Sequence, residues 1–96
     1  MAAYVIVDVI VTDPEIYAQY RPLAFASVTN HGGRFVVRGG HAENLEGDWV
    51  PERIVILEFG SFAKAKEWWS SEEYRIPKAL RQSASISRMI VVEGAI

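Results

Sequence analysis

The stretch from Gly33 to Phe59 constrains the fold more than any other part of the chain. Arg34, Phe35, Val36, Val37 and Arg38 form a strand-like run, closed off by Gly33 before it and Gly39-Gly40 after it. A polar loop holding Trp49 leads to a second, more apolar run from Arg53 to Phe59. Two such runs predict a β-hairpin. Arg34 and Arg38 lie four residues apart, so strict alternation puts both on one face of the first strand, while Glu58 interrupts the second. An ionic group set into an apolar strand needs a partner or a ligand.

The remaining elements follow from pattern and punctuation. Tyr4 to Val11 is rich in β-branched residues and too short for a helix, which makes it a first strand. Asp13 followed by Pro14 is an N-cap and first-turn signal, after which Ile16, Tyr20, Leu23, Ser27 and Val28 fall on one helical stripe. Pro22 inside that helix predicts a kink or a break. Asn30, His31, Gly32 and Gly33 form the exit, with Gly32 suited to a left-handed cap. Ser61 caps a short helix carrying Phe62, Ala65, Trp68 and Trp69, and Ser70-Ser71 ends it. The capping-box spacing of Ser70 and Glu73 predicts a further helix from Ser71 to Gln82, disturbed at Pro77, before a last strand from Ile86 to Val92. The order β-α-β-β-α-β, with no linker or repeat, predicts one α+β domain over residues 1–96. Its architecture is a ferredoxin-like, four-stranded antiparallel sheet with the helices on one face.

Strand parity carries the reading further. Val5, Val7, Val9 and Val11 share one face of the first strand, and Tyr4, Ile6, Asp8 and Ile10 the other. Val55, Leu57 and Phe59 likewise oppose Ile54, Ile56 and Glu58. Both sheet faces are therefore mainly apolar, and helices cover only one. A second copy packed sheet to sheet about a two-fold axis covers the other, making the expected partner the chain itself. The alternative is a monomer whose tail folds across the sheet, for which only Glu93 to Ile96 remain.

Composition removes several function classes. A net charge of −2 and the lack of any Lys/Arg cluster disfavour nucleic acid. With no cysteine, disulfides, thiolate metal sites and a cysteine nucleophile are excluded. The N-terminal apolar run lacks a basic start, contains Asp8 and stops at Thr12-Asp13-Pro14. It reads as a strand, not a leader or membrane span, and the expected location is the cytoplasm. His31 and His41 have no third ligand at metal-like spacing, and no phosphate loop, dinucleotide fingerprint or nucleophile elbow is present. No cofactor and no metal are expected.

The runs GGRFVVRGG, EGDWVPERIVILEF, the SF to KEWWSSEEY segment and the closing VVEG together resemble the family called domain of unknown function 1330. The resemblance covers nearly the whole chain. It implies a dimeric α+β barrel, similar to the superfamily of antibiotic-biosynthesis monooxygenases, haem-degrading enzymes, muconolactone isomerases and stress-responsive barrel proteins. It also implies a ligand position between the sheet and the helices of each subunit, while leaving the chemistry open.

Candidate site residues follow from these positions. Asp8, Arg34, Arg38 and Glu58 lie on the strand faces that also carry Tyr4 and Ile56. This side is expected to face the helices, with the purely apolar side forming the dimer core. There Arg38 would act as a planar carboxylate fork and Glu58 as a base or orienting group. The structural alternative is an Arg38–Glu58 pair that fixes the hairpin register. Tyr20 and Tyr74 are phenol candidates in an aromatic pocket with Tyr17, Trp68 and Trp69, although such residues are commonly plain core. His31 is a candidate general base or proton shuttle, or simply a cap on the last helical carbonyls. The function expected is a homodimeric barrel that binds a small polar or aromatic molecule, with cofactor-independent acid–base or oxygenase-like chemistry. The alternative is a dimerisation module without a ligand.

Overall fold

The computed structural model describes residues 1–96. Strand β1 (Ala3–Val11) leads into helix α1 (Pro14–Asn30), followed by β2 (Arg34–Arg38), β3 (Ile54–Phe59), α2 (Phe62–Trp69), α3 (Glu72–Ala84) and β4 (Ser85–Glu93). The sheet order is β2-β3-β1-β4, with every neighbouring pair antiparallel. This is the ferredoxin-like arrangement that the element order predicts, with the second helical region split in two.

Local chemistry explains the boundaries. Asp13 accepts from the Ile16 backbone N–H at 3.2 Å, and Pro14 occupies the first helical turn, where its missing N–H costs nothing. Helix α1 then runs unbroken through Pro22, contrary to the predicted break. Both Pro22 and Ala18, whose carbonyl loses its bond, lie on the exposed side, where water can take that carbonyl. Gly32 ends the helix with φ +75°, and the Gly33 N–H donates to Val28 O. Ser61 caps α2 by accepting from the Lys64 N–H. The α3 cap is Ser71, which accepts from the Tyr74 N–H at 3.1 Å. Ser70, predicted for that role, instead ends α2 and donates its hydroxyl to Lys66 O.

The helices cover the face that carries Val5, Val7, Val9, Val55, Leu57 and Phe59, all buried. Three aromatic side chains fill the centre of this layer. Trp68 stands 5.5 Å from the Phe59 ring and 4.1 Å from Tyr74, centroid to centroid, and all three are essentially inaccessible. Its indole N–H donates to Ser27 Oγ at 3.0 Å, so the buried polar end is satisfied. Burial of side chains of this size stabilises a fold by about 1.5–3 kcal/mol each.

This packing reverses the predicted assignment of the faces. The purely apolar side lies under the helices, and the side carrying Asp8, Glu58 and Arg34 is the open one. The physical reason is that a close-packed helix–sheet layer tolerates few charges, whereas an open face hydrates them until a partner arrives.

Candidate functional site

Alternation along β2 breaks at one point. Arg34 pairs with Glu58 and Phe35 with Leu57, but Val37 pairs with Ile56 and Arg38 with Val55, which leaves Val36 as an extra residue. Such a bulge shifts everything after it by one residue and so turns it to the opposite face. Arg34 therefore stays on the open face while Arg38 turns to the helix side, at its exposed rim. The predicted common face for the two arginines is corrected accordingly, and so is the predicted Arg38–Glu58 pair.

Under the helices lies a cleft between α1 and the sheet. The α1 stripe Tyr17, Tyr20, Arg21, Ala24 and Val28 roofs it, Val7, Val9, Val55 and Leu57 floor it, and Trp68 closes one end. Its enclosed space is about 30 Å³, room for roughly one water molecule, and with its mouth the depression reaches about 460 Å³. Tyr20 and Tyr74 meet in the interior with hydroxyl oxygens 2.8 Å apart. Arg81, buried, donates from Nε to Tyr74 Oη at 3.3 Å and from Nη1 to Ser87 Oγ at 2.8 Å. Burial, reinforced by Tyr74, raises the Tyr20 phenol above its ordinary range. Tyr20 thus stays a neutral hydroxyl and does not act as a base. A wider groove of about 1010 Å³ runs along the edge strand β4 beside Trp69, and Arg81 stands between it and the cleft.

The open face is ordered in rows that cross the strands. Arg34, Glu58, Tyr4 and Val92 form one row, and Val37, Ile56, Ile6 and Ile90 the next. Ile54, Asp8 and Arg88 follow, then Ile10 and Ile86. Arg34 Nε donates to Glu58 Oε1 at 2.6 Å and Tyr4 Oη to Oε2 at 3.0 Å. The Arg34 bond first, and the Tyr4 bond second, hold the Glu58 carboxyl below its ordinary range. The same carboxylate pushes the Tyr4 phenol up. Asp8 Oδ2 accepts from Arg88 Nη2 at 2.8 Å and from the Trp49 indole at 3.1 Å. The Arg88 bond is the main cause of its lowered pKa, with burial opposing. Trp49 thereby brings the β2–β3 loop over the open face.

The site residues named from sequence fall into four places. Tyr20, Tyr74 and Arg38 belong to the cleft region, whereas Asp8, Arg34 and Glu58 lie across the sheet from it. His31 caps α1, with Nδ1 2.8 Å from Ser27 O and 3.7 Å from Glu73 Oε1. Trp69 lies half-exposed under the Lys78 ammonium, 3.8 Å from the ring centroid. Tyr17, named from sequence for the aromatic pocket, does line the cleft, whereas sequence reasoning missed Arg21, Arg53 and Arg81. One signal for Arg21 and Arg81 was available. Neither has an acid three or four residues away, whereas Arg75 has Glu72, to which it bonds at 2.8 Å.

Solved structures share this architecture. A protein of unknown function from Rhodopseudomonas palustris, RPA0582, superposes with a TM-score of 0.80 at 23% identity, over 99% of this chain and 83% of that one. SnoaB, a cofactor-independent oxygenase from Streptomyces nogalater, gives 0.65 at 10% identity, over 99% and 93%. A dimeric protein of unknown function with a ferredoxin-like fold from Bacteroides fragilis gives 0.57 at 10%, over 97% and 96%. At these identities the likeness is one of fold. No curated protein matches the sequence. The family described as Domain of unknown function (DUF1330) matches residues 2–95, and the chain belongs to it.

Proposed function

We propose that the protein is a homodimer joined through the open sheet faces, and that each subunit holds a small polar or aromatic molecule in the cleft between α1 and the sheet. The cleft carries this reading. Its walls are mainly apolar, and polar groups, the Tyr20 hydroxyl among them, converge on it, as in small-molecule sites generally. The dimer is supported by the exposure of Ile86 at 64%, Ile90 at 59% and Val92 at 42% on an otherwise ordered surface, and by the dimeric Bacteroides fragilis neighbour. A two-fold axis would place the apolar Ile6–Ile56–Ile90 row against its own copy, with ion-paired rows on either side.

Chemistry of the cofactor-independent oxygenase or acid–base kind is the enzymatic extension of this reading, with the Tyr20 hydroxyl as a hydrogen-bonding group. In it Glu58 belongs to the dimer interface and His31 to the end of α1. No helix is long and apolar enough to cross a membrane. The lack of cysteine suits a reducing compartment, so the cytoplasm is the proposed place of action.

The enclosed space of about 30 Å³ favours a second reading, a dimerisation module that binds nothing. Native mass spectrometry of protein purified without added ligand separates the two. A dimer carrying a reproducible small-molecule mass supports the binding barrel, while a dimer that stays bare against a broad metabolite extract supports the module.

A further inference from the structure

The seven arginines of the chain divide into two groups. Arg34, Arg75 and Arg88 each meet a carboxylate within 2.8 Å, outside the cleft. Arg21, Arg38, Arg53 and Arg81 all line the cleft, and the ion pairs of the protein include none of them. No acidic residue lines the cleft at all. In a chain whose net charge is −2, four uncompensated cations around one apolar depression are a local feature with no origin in overall composition. Like charges gathered beside a low-dielectric wall repel, and an anion between them relieves that cost.

The Arg53 Nε is the one buried side-chain nitrogen or oxygen without a hydrogen-bond partner. Buried donors are rarely left unpaired, because removal from water without compensation costs about 1–3 kcal/mol. The space for the guanidinium is built into the backbone. Gly39, at φ +72°, lies where a Cβ would collide with it. Arg53 sits 5.7 Å from the Tyr17 ring centroid, and Arg38 lies over Phe35 at 4.4 Å. Stacking of this kind fixes a guanidinium plane and leaves its N–H edge free for a planar anion.

We propose that the ligand of the cleft is a small carboxylate with an apolar, ring-sized body, its carboxylate held by Arg53 and Arg38 and its body lodged in the open depression of about 460 Å³ above the valine floor. The inference rests on the binding reading of the cleft and supplies the ligand class. A carboxylate matches the bidentate fork of arginine. Inorganic phosphate also attracts arginine, but it has no apolar end to set against Val7, Val9 and Val55.

The test is an NMR titration of the full chain with benzoate, benzamide and inorganic phosphate, following the Tyr17, Tyr20 and valine methyl signals. Benzoate is expected to bind about tenfold or more tightly than benzamide. Arg53→Gln and the exposed Arg38→Gln should each remove that preference, bringing benzoate to about the affinity of benzamide. If Arg53→Gln does not fold, Arg38→Gln decides alone. Equal binding of benzoate and benzamide would overturn the anion inference and leave the cleft reading standing. Phosphate binding as tightly as benzoate would overturn the apolar body. No response of the cleft signals to any probe would overturn both the inference and the binding reading.

Discussion

Arg34 donates from Nε to Glu58 Oε1 at 2.6 Å, directly across the β2–β3 ladder, and Tyr4 completes the carboxylate from the next strand. Because these bonds lower the Glu58 pKa, they contribute stability above the unfolded carboxyl value, about 4.3, that is lost as pH falls through the lower folded value. Asp8 behaves in the same sense beside Arg88. Urea unfolding between pH 7 and pH 2 should show stability falling below about pH 4.5, with a shallower fall in Glu58→Gln. A Glu58→Gln variant with an unaltered acid slope would show that the pair is not coupled to folding.

Val7 lies under the helices, 4% exposed, between Val55 and Met89 in the sheet. Val7→Asp should cost about 3–5 kcal/mol, because it leaves a charge buried without a partner. Circular dichroism on heating is expected to show an unfolded or strongly destabilised chain. A folded chain of normal midpoint would contradict the placement of this face.

Tyr20 and Tyr74 share a hydrogen bond of 2.8 Å in the interior. Tyr20→Phe removes one partner and should cost about 1 kcal/mol, read from a denaturation midpoint. The raised Tyr20 pKa also has a sign in pH. Its contribution is complete below the unfolded phenol value, about 10, and is lost only as pH rises towards the higher folded value. Ultraviolet titration should therefore show at least one tyrosine that ionises only when the protein unfolds in alkali, and that fraction should shrink in Tyr20→Phe.

Gly39 combines a left-handed backbone with the space occupied by Arg53. Gly39→Ala is expected to destabilise by about 1 kcal/mol or more, chiefly because alanine is strained at this φ, the Arg53 guanidinium being the end of a flexible side chain that can shift. Gly40, which has open space beside its α-carbon and no positive φ, should accept alanine with little change. Equal midpoints for the two variants would remove the built-in role of Gly39.

The sequence was most legible where one local signal decided the outcome. Asp13-Pro14, Ser61 and Gly32 mark their helix ends in the structure as their chemistry requires. Strand parity correctly separated Val5, Val7 and Val9 from Tyr4, Ile6 and Asp8. Which of these sides the helices cover depends on competition between packing density and charge hydration across the whole sheet, and that is not a local property. Arg38 was misplaced because a bulge adds one residue without a mark in the composition. Arg53 stood out only once tertiary structure showed that it lacks a carboxylate partner.

Sedimentation equilibrium of the unmodified chain beside Ile56→Asp addresses the open face directly, since Ile56 pairs with Ile6 at the centre of its apolar row. The expected result is twice the chain mass of 10.8 kDa for the unmodified protein, and a single chain mass with native helix content for Ile56→Asp. An unmodified protein that sediments as one chain at micromolar concentration, with its apolar face in water, would contradict the proposed sheet-to-sheet dimer.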